Sequence, residues 1–394
     1  MNSKGVALTI LLLVLQLSVN GGPRVTTKAE AYFPTNMWTS TSPEDQGMSS
    51  AVLNDMMQFI EESNAAIQGL VITRNGYIVK EGYWGYNTEI TTRHIFSCTK
   101  SFTGALVGIA LKESFLDNVS QKVLTFFPEL TIGNPDARKE EMTIEHLLTM
   151  TTGLDWNEWN ISYDDPDNMY NQMFGFGVDS VEFFLSLPMV FDPGEHWVYT
   201  TGASHVLSAI IQAATGMTTY EFAKQYLFDP LNMTVGSWGM DNQGINNGGT
   251  LLYVTPRSMA KLGLLYINNG TWNDNEIMTE EYVAQSFAPH ANATLLSTNY
   301  GYQWWVNPEE GVCSAIGSQG QYIHVIRKYN VVVAITANAD EPGEDVSDDI
   351  LRYVQDSIMT GSPSGINSLL ILGIAGVVLV VVVVAIRFQR KTHR

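Results

Sequence analysis

Residues 69–83 read GLVITRNGYIVKEGY, two runs that alternate apolar and polar side chains around Arg74-Asn75-Gly76. Asn-Gly between such runs is a strong hairpin signal, because both residues accept the left-handed backbone of a tight turn. Near the other end, 322–326 (YIHVI) and 331–337 (VVVAITA) flank the polar residues 327–330 and read as a second hairpin. One antiparallel sheet built from both ends of the chain accommodates the two. Residues 50–62 and 345–358 have helical apolar spacing, so a helix from each end is expected to cover one face of that sheet. The long insertion between, about 97–299, holds further helix-like stretches at 143–150, 180–187, 203–214 and 255–267, the last opened by Pro256 after Thr255. The expected fold class is α+β: an antiparallel sheet flanked by terminal helices, plus a mostly helical lobe, with a groove where the two meet.

Composition narrows the function. The 394 residues carry 21 Lys plus Arg against 40 Asp plus Glu, a formal charge of −19, which argues against nucleic acid as a partner. At 45% apolar, 11% aromatic and 15% charged, the chain has what a packed core needs and a disordered one lacks. Two cysteines, Cys98 and Cys313, give no disulfide framework. The seven histidines are scattered without ligand-like spacing, so no metal is expected.

Both termini read as targeting segments. Residues 1–31, with a mostly apolar run behind Lys4, read as a signal peptide, an uncleaved anchor being the alternative. Residues 359–365 form a short linker. The uncharged stretch 366–386 matches the about 20 residues needed to cross a bilayer and is expected to be a transmembrane helix. Arg387, Arg390, Lys391 and Arg394 in the tail 387–394 place the C-terminus in the cytoplasm and the domain outside a single-pass cell membrane. A lipid-anchor signal is the alternative, disfavoured by that basic tail. Five Asn-x-Ser/Thr sites fit an exported domain.

Ser97-Cys98-Thr99-Lys100 is a Ser-x-x-Lys, in which helical i, i+3 spacing puts a hydroxyl and an amine on one face. A lysine desolvated by apolar neighbours is a weaker acid-holder than one in water, so it accepts the serine proton and makes a nucleophile. Ser258-Met259-Ala260-Lys261 has the same spacing, but Ser258 falls in the first turn of a helix started by Thr255 and Pro256 and reads as structural.

With these residues in hand, the chain resembles the serine β-lactamase and penicillin-binding-protein family, in its class C and esterase-like branch. Residues 96–104 resemble the nucleophile helix, 117–129 the D-x-V…FPE segment, and 143–153 (TIEHLLTMTTG) the TI-x-x-LL-x-x-TSG hallmark. Pro193-Gly194-Glu195, residues 226–231, Gly248-Gly249 and Tyr300-Gly301-Tyr302 add to the likeness, which spans about 42–358. The resemblance implies a β-lactamase/DD-peptidase-like fold and a serine hydrolase working through an acyl-enzyme without a cofactor. It also implies Tyr199 as a phenol or phenolate relaying protons with Lys100, and an oxyanion hole from the backbone N–H groups of Ser97 and Gln321.

Two departures bear on substrate. The family's Tyr-x-Asn is here Tyr199-Thr200-Thr201, and its Lys or His before x-Gly is here Ser318, followed by Gln319 and Gly320. Thr201, Ser318 and Gly320 are thus the expected substrate-binding positions, without a cation. With the acidic domain, this points to a neutral ester, amide or peptide as the small-molecule or peptide substrate. The alternatives are a β-lactamase or D-Ala-D-Ala carboxypeptidase, and a catalytically inactive binding module on the same fold. A literal Tyr-x-Asn at Tyr266-Ile267-Asn268 ends an apolar helix and reads as core. Cys98 reads as a buried small hydrophobe, with pairing to Cys313 as the alternative, and Trp156, Trp159, Trp304 and Trp305 either wall the groove or pack between lobes.

Overall fold

The computed structural model describes residues 32–360, apart from 36, 64, 297 and 339–345. The expected signal segment, the membrane helix at 366–386 and the basic tail lie outside the described residues. Among those described, no helix is long and apolar enough to cross a membrane.

The first hairpin joins β1 (Ile67–Arg74) to β2 (Tyr77–Tyr83), with Arg74 opposite Tyr77. Asn75 and Gly76 between them both adopt positive φ, 53° and 86°, the backbone the Asn-Gly pair was expected to supply. Late in the chain come β3 (Ala291–Ala293), β4 (Thr298–Tyr300), β5 (Trp305–Asn307), β6 (Val312–Gly317), β7 (Gln321–Ile326) and β8 (Val331–Ala337). All eight form one antiparallel sheet in the order β2-β1-β8-β7-β6-β5-β4-β3. The early hairpin pairs with the late one through β1 and β8, Arg74 opposite Val331. Their tips are tied by Asn75 N–H to the Asn330 carbonyl at 3.0 Å and by Asn330 Nδ2 to Asn75 Oδ1 at 2.8 Å.

The short strands β3 and β4 fall at the end of the insertion expected to be mostly helical, outside the four stretches read there as helices. Runs of three residues carry no measurable period, so nothing local announces them.

Both sheet faces are covered. Leu70 and Ile72 of β1 meet α1 (Ser50–Glu62) and α5 (Ser347–Thr360) in a core with Leu53, Met56, Ile350 and Val354. Val71 points the other way, into the larger core shared with the helical lobe, as the two-residue repeat of a strand requires. Every residue of β8 is buried, which is why its sequence is apolar at every position but Thr336 rather than alternating. Truncating a core leucine, isoleucine or methionine such as Leu53, Met56, Leu70 or Ile350 to alanine costs about 2–5 kcal/mol. The terminal helix runs to Thr360, two residues into the stretch expected to be linker.

Two helices of the lobe position the groove residues. α2 (Thr99–Lys112) is buried from Thr99 through Ala110, and α3 (Thr201–Thr215) from Thr201 through Ile211, so both are interior helices that pack on each other. α4 (Pro256–Ile267), capped by the Thr255 side chain, lies against β7 and β8. Shorter helices occur at Ile144–Leu148 and Ser180–Leu185, inside the longer stretches expected there. Each is shortened at its C-terminal end, where no glycine or charge marks the stop.

Candidate active site

Ser97 sits in a 3-10 turn, Phe96–Cys98, that feeds into α2. Phe96 just before it has φ 45°, a left-handed conformation costly for a bulky residue, with its ring held 3.9 Å from that of His94. The turn leaves Ser97 half-buried and lining an open groove of about 830 Å³. Lys100, three residues on, is 2% exposed.

The Lys100 Nζ has three partners: Ser97 Oγ at 3.1 Å, Thr201 Oγ1 at 3.0 Å and the Gly249 carbonyl at 3.0 Å. An ammonium uses all three as acceptors. A neutral amine keeps two N–H bonds, for Thr201 and Gly249, and turns its lone pair to Ser97. Burial lowers the Lys100 pKa to about 8, while Glu158 and Cys98 oppose the fall. The spacing of the sequence motif therefore yields the contact expected of it. Gly249, on the segment crossing beneath the amine, has no room for a side chain, since a Cβ would lie 2.6 Å from Thr201 Cγ2.

Tyr199 enters from the segment before α3. Its ring stacks on Trp305 with centroids 5.9 Å apart, meets Trp159 edge-on at 5.4 Å, and lies 4.9 Å from the Lys100 Nζ. It lines the same groove as Ser97. Burial pushes the phenol pKa well above its ordinary value and Glu158 adds to the rise, so Tyr199 is a neutral phenol and not a phenolate at physiological pH.

Thr201 is buried, its hydroxyl accepting from Lys100 and donating to Glu158 Oε1 at 2.8 Å. Glu158 carries no motif, and the sequence reading passed over it. It is 1% exposed and receives four donors: Trp156 Nε1 at 2.8 Å, Tyr163 OH at 2.9 Å, and the Thr201 hydroxyl and Thr201 N–H, each at 2.8 Å. No side chain of Thr200 caps α3, so the Glu158 carboxylate takes a free N–H at that helix start from a distant loop. Asn168 Nδ2 donates to the Glu158 and Ile161 carbonyls, fixing the loop. The one sequence sign was an acid set among Trp156, Trp159 and Tyr163.

The turn between β6 and β7 forms the opposite wall. Ser318 and Gly320 line the groove with Ser97 and Tyr199. Gln321 is buried behind them, its side-chain amide donating to the Ala337 carbonyl at 2.6 Å and its own carbonyl accepting from Cys98 Sγ at 3.4 Å. The first residue of β7 thus lies against the nucleophile turn. Trp159 and Trp305 line the groove, whereas Trp156 packs on Phe184 and Trp304 between Tyr266 and Phe287. Further out, the groove is bordered by Glu310, Asp348 and Arg352, the last ion-paired with Asp349.

The competing motifs are structural. The Ser258 hydroxyl donates to the Thr234 carbonyl at 3.0 Å, and Lys261 Nζ donates to the Leu231 and Asn232 carbonyls at 2.7 Å each, away from Ser258. Tyr266 is fully buried in the core. Cys98 and Cys313 are both free and buried, so the disulfide alternative is not realised.

Comparison with known proteins agrees with this geometry. The family model described as Beta-lactamase matches residues 53–356. An uncharacterized protein of Alkalihalophilus pseudofirmus is 24% identical over 358 residues, 79% of this chain and 95% of that protein. Lovastatin esterase of Penicillium rubens is 30% identical over 121 residues, 28% of each chain. Among solved structures, the octameric penicillin-binding protein homologue from Pyrococcus abyssi shares the fold with a TM-score of 0.62 at 21% identity, covering 79% of this chain and 78% of that one.

Proposed function

The chain belongs to the Beta-lactamase family and is a serine hydrolase, and on that premise we propose that Ser97 attacks the carbonyl of a neutral ester, amide or peptide and forms an acyl-enzyme. The 3.1 Å hydrogen bond between an almost fully buried amine and a hydroxyl on an open groove carries this reading.

The Ser97 proton passes to the neutral Lys100 amine as Oγ bonds to the carbonyl carbon. With a pKa of about 8, roughly a tenth of the amine is neutral at pH 7. The Tyr199 phenol donates to the leaving group and is reprotonated from Lys100. The tetrahedral oxyanion is held by the backbone N–H groups of Ser97 and Gln321. Water, or an amine in a transfer reaction, then displaces the acyl group from Ser97.

The substrate preference follows from the groove's charges. Ser318 offers no cation, Arg352 is already paired, and Glu310 and Asp348 add negative charge, so a substrate carboxylate is disfavoured. The ester named for the Penicillium relative supports the same choice. Hydrolysis of p-nitrophenyl acetate and butyrate against nitrocefin tests it: faster nitrocefin turnover assigns a β-lactamase instead, and failure to label Ser97 with a fluorophosphonate assigns a binding module.

At the cellular level we propose that the domain lies outside a membrane, with residues 366–386 as its anchor. This rests on the sequence pattern alone. Protease treatment of intact cells tests it, since cleavage of the tail with protection of the domain reverses the orientation.

A further inference from the structure

We propose that Glu158 is a positioning residue which, through the Thr201 hydroxyl, holds Lys100 in place and sets the pH at which Ser97 becomes a nucleophile. The inference deepens the hydrolase reading and rests on it.

Three observations converge. The Thr201 Oγ1 is 3.0 Å from Lys100 Nζ and 2.8 Å from Glu158 Oε1, so one hydroxyl joins the buried amine to the buried carboxylate. Because that hydroxyl gives its only proton to Glu158, its lone pairs are left facing Lys100, which fixes one Lys100 N–H and steers the remaining direction to Ser97. The four donors around Glu158 come from Trp156, Tyr163 and Thr201, and they match the acceptor-only demand of a carboxylate anion.

The electrostatics act in two directions. The titratable groups facing Lys100 are Glu158, Cys98 and Tyr199; those facing Glu158 are Lys100, Tyr163, Tyr170, Tyr199 and Tyr300. Lys100 is the cation in this group, and Glu158 favours its charged form. In the resting enzyme this postpones deprotonation to higher pH. In the attack step the Ser97 O–H bond breaks and a Lys100 N–H bond forms, so positive charge appears where the Glu158 field stabilises it. Glu158 thus exchanges activity at low pH for a faster reaction once Lys100 is neutral.

The experiment uses the full-length chain, its Glu158→Gln variant and the conservative Glu158→Asp. The rate of Ser97 labelling by a fluorophosphonate is followed from pH 5.5 to 9.5, with a Lys100 titration by NMR of [13C]lysine-labelled protein alongside. In Glu158→Gln the acid limb and the Lys100 titration both move to lower pH by roughly one unit, and the plateau rate falls about tenfold or more. Glu158→Asp restores the limb towards the wild-type position, which a purely structural role would not do. A folded Glu158→Gln protein with the wild-type Lys100 titration overturns the inference. If that variant does not fold, Thr201→Val, which cuts the bridge, replaces it, and an unchanged Lys100 titration again overturns it. A shifted titration in a protein whose Ser97 never labels sustains the Glu158–Lys100 coupling and removes the hydrolase reading instead.

Discussion

Lys100 Nζ donates to the Gly249 carbonyl at 3.0 Å, and a Cβ on that same glycine would stand 3.2 Å from the amine. One residue therefore both anchors the base and leaves space for it. Gly249→Ala pushes on Thr201 Cγ2 and Lys100 together, and displacements of about 1 Å at reacting groups cost on the order of 100-fold in rate. Turnover of p-nitrophenyl butyrate is expected to fall by that order, with a stability loss of about 1–3 kcal/mol by denaturant titration. Activity within twofold of wild type shows that the amine tolerates repositioning.

Ser97→Ala is expected to abolish fluorophosphonate labelling, and Ser258→Ala to retain it. The Ser258 hydroxyl is occupied by Thr234 and Thr255, so its loss lowers stability by about 1 kcal/mol without touching the groove. Peptide mapping of the labelled serine decides, and a label on Ser258 reverses the assignment.

The rate of acylation is expected to rise with pH through about 8. The sign follows from the base: protonated Lys100 has no lone pair, and burial lowers its pKa to about 8 from the ordinary lysine range. Measured kcat/KM for a p-nitrophenyl ester should be low at pH 6 and level off above the limb. Lys100→Met removes the limb and lowers the plateau by about 10²–10⁴. A profile flat from pH 6 to 9 is incompatible with Lys100 as the base.

Ser318→Lys supplies the missing cation on the β6–β7 turn, where Ser318 is exposed and lines the groove. Nitrocefin turnover relative to p-nitrophenyl butyrate is expected to rise by about tenfold, since each 1.4 kcal/mol of added interaction is a factor of ten. An unchanged ratio means that the substrate carboxylate binds elsewhere.

The two hairpins were legible in the sequence because a strand's two-residue period and the Asn75-Gly76 turn are properties of neighbouring residues. α1, over Ser50–Glu62, and α4, opened by Thr255 and Pro256, were legible for the same reason. The Ser-x-x-Lys spacing at Ser97 and Lys100 was legible too, and so was the reason to set Ser258 aside, which falls in the first turn of a helix opened by Thr255 and Pro256. Tyr199 needed more than spacing; only the resemblance of the surrounding segments to a known family pointed to it. That one sheet holds both hairpins was expected, whereas the pairing of β1 with β8 and the strands β3 and β4 were not, the strand character of the last two coming from the sheet edge they join.

By itself, then, the sequence determined the local geometry: which stretches bend, alternate or coil, and which hydroxyl lies one turn from which amine. Tertiary structure decided that Lys100 meets Ser97 while Lys261 turns to the Leu231 and Asn232 carbonyls, because desolvation and hydrogen-bond competition depend on what packs around each lysine. It also placed Gly249, 149 residues from Lys100, and Glu158, 43 residues from Thr201, around one buried amine. Contacts across such distances are set by the packing of α2 against α3, and electrostatic energy depends on separation in space, which no short window of sequence records.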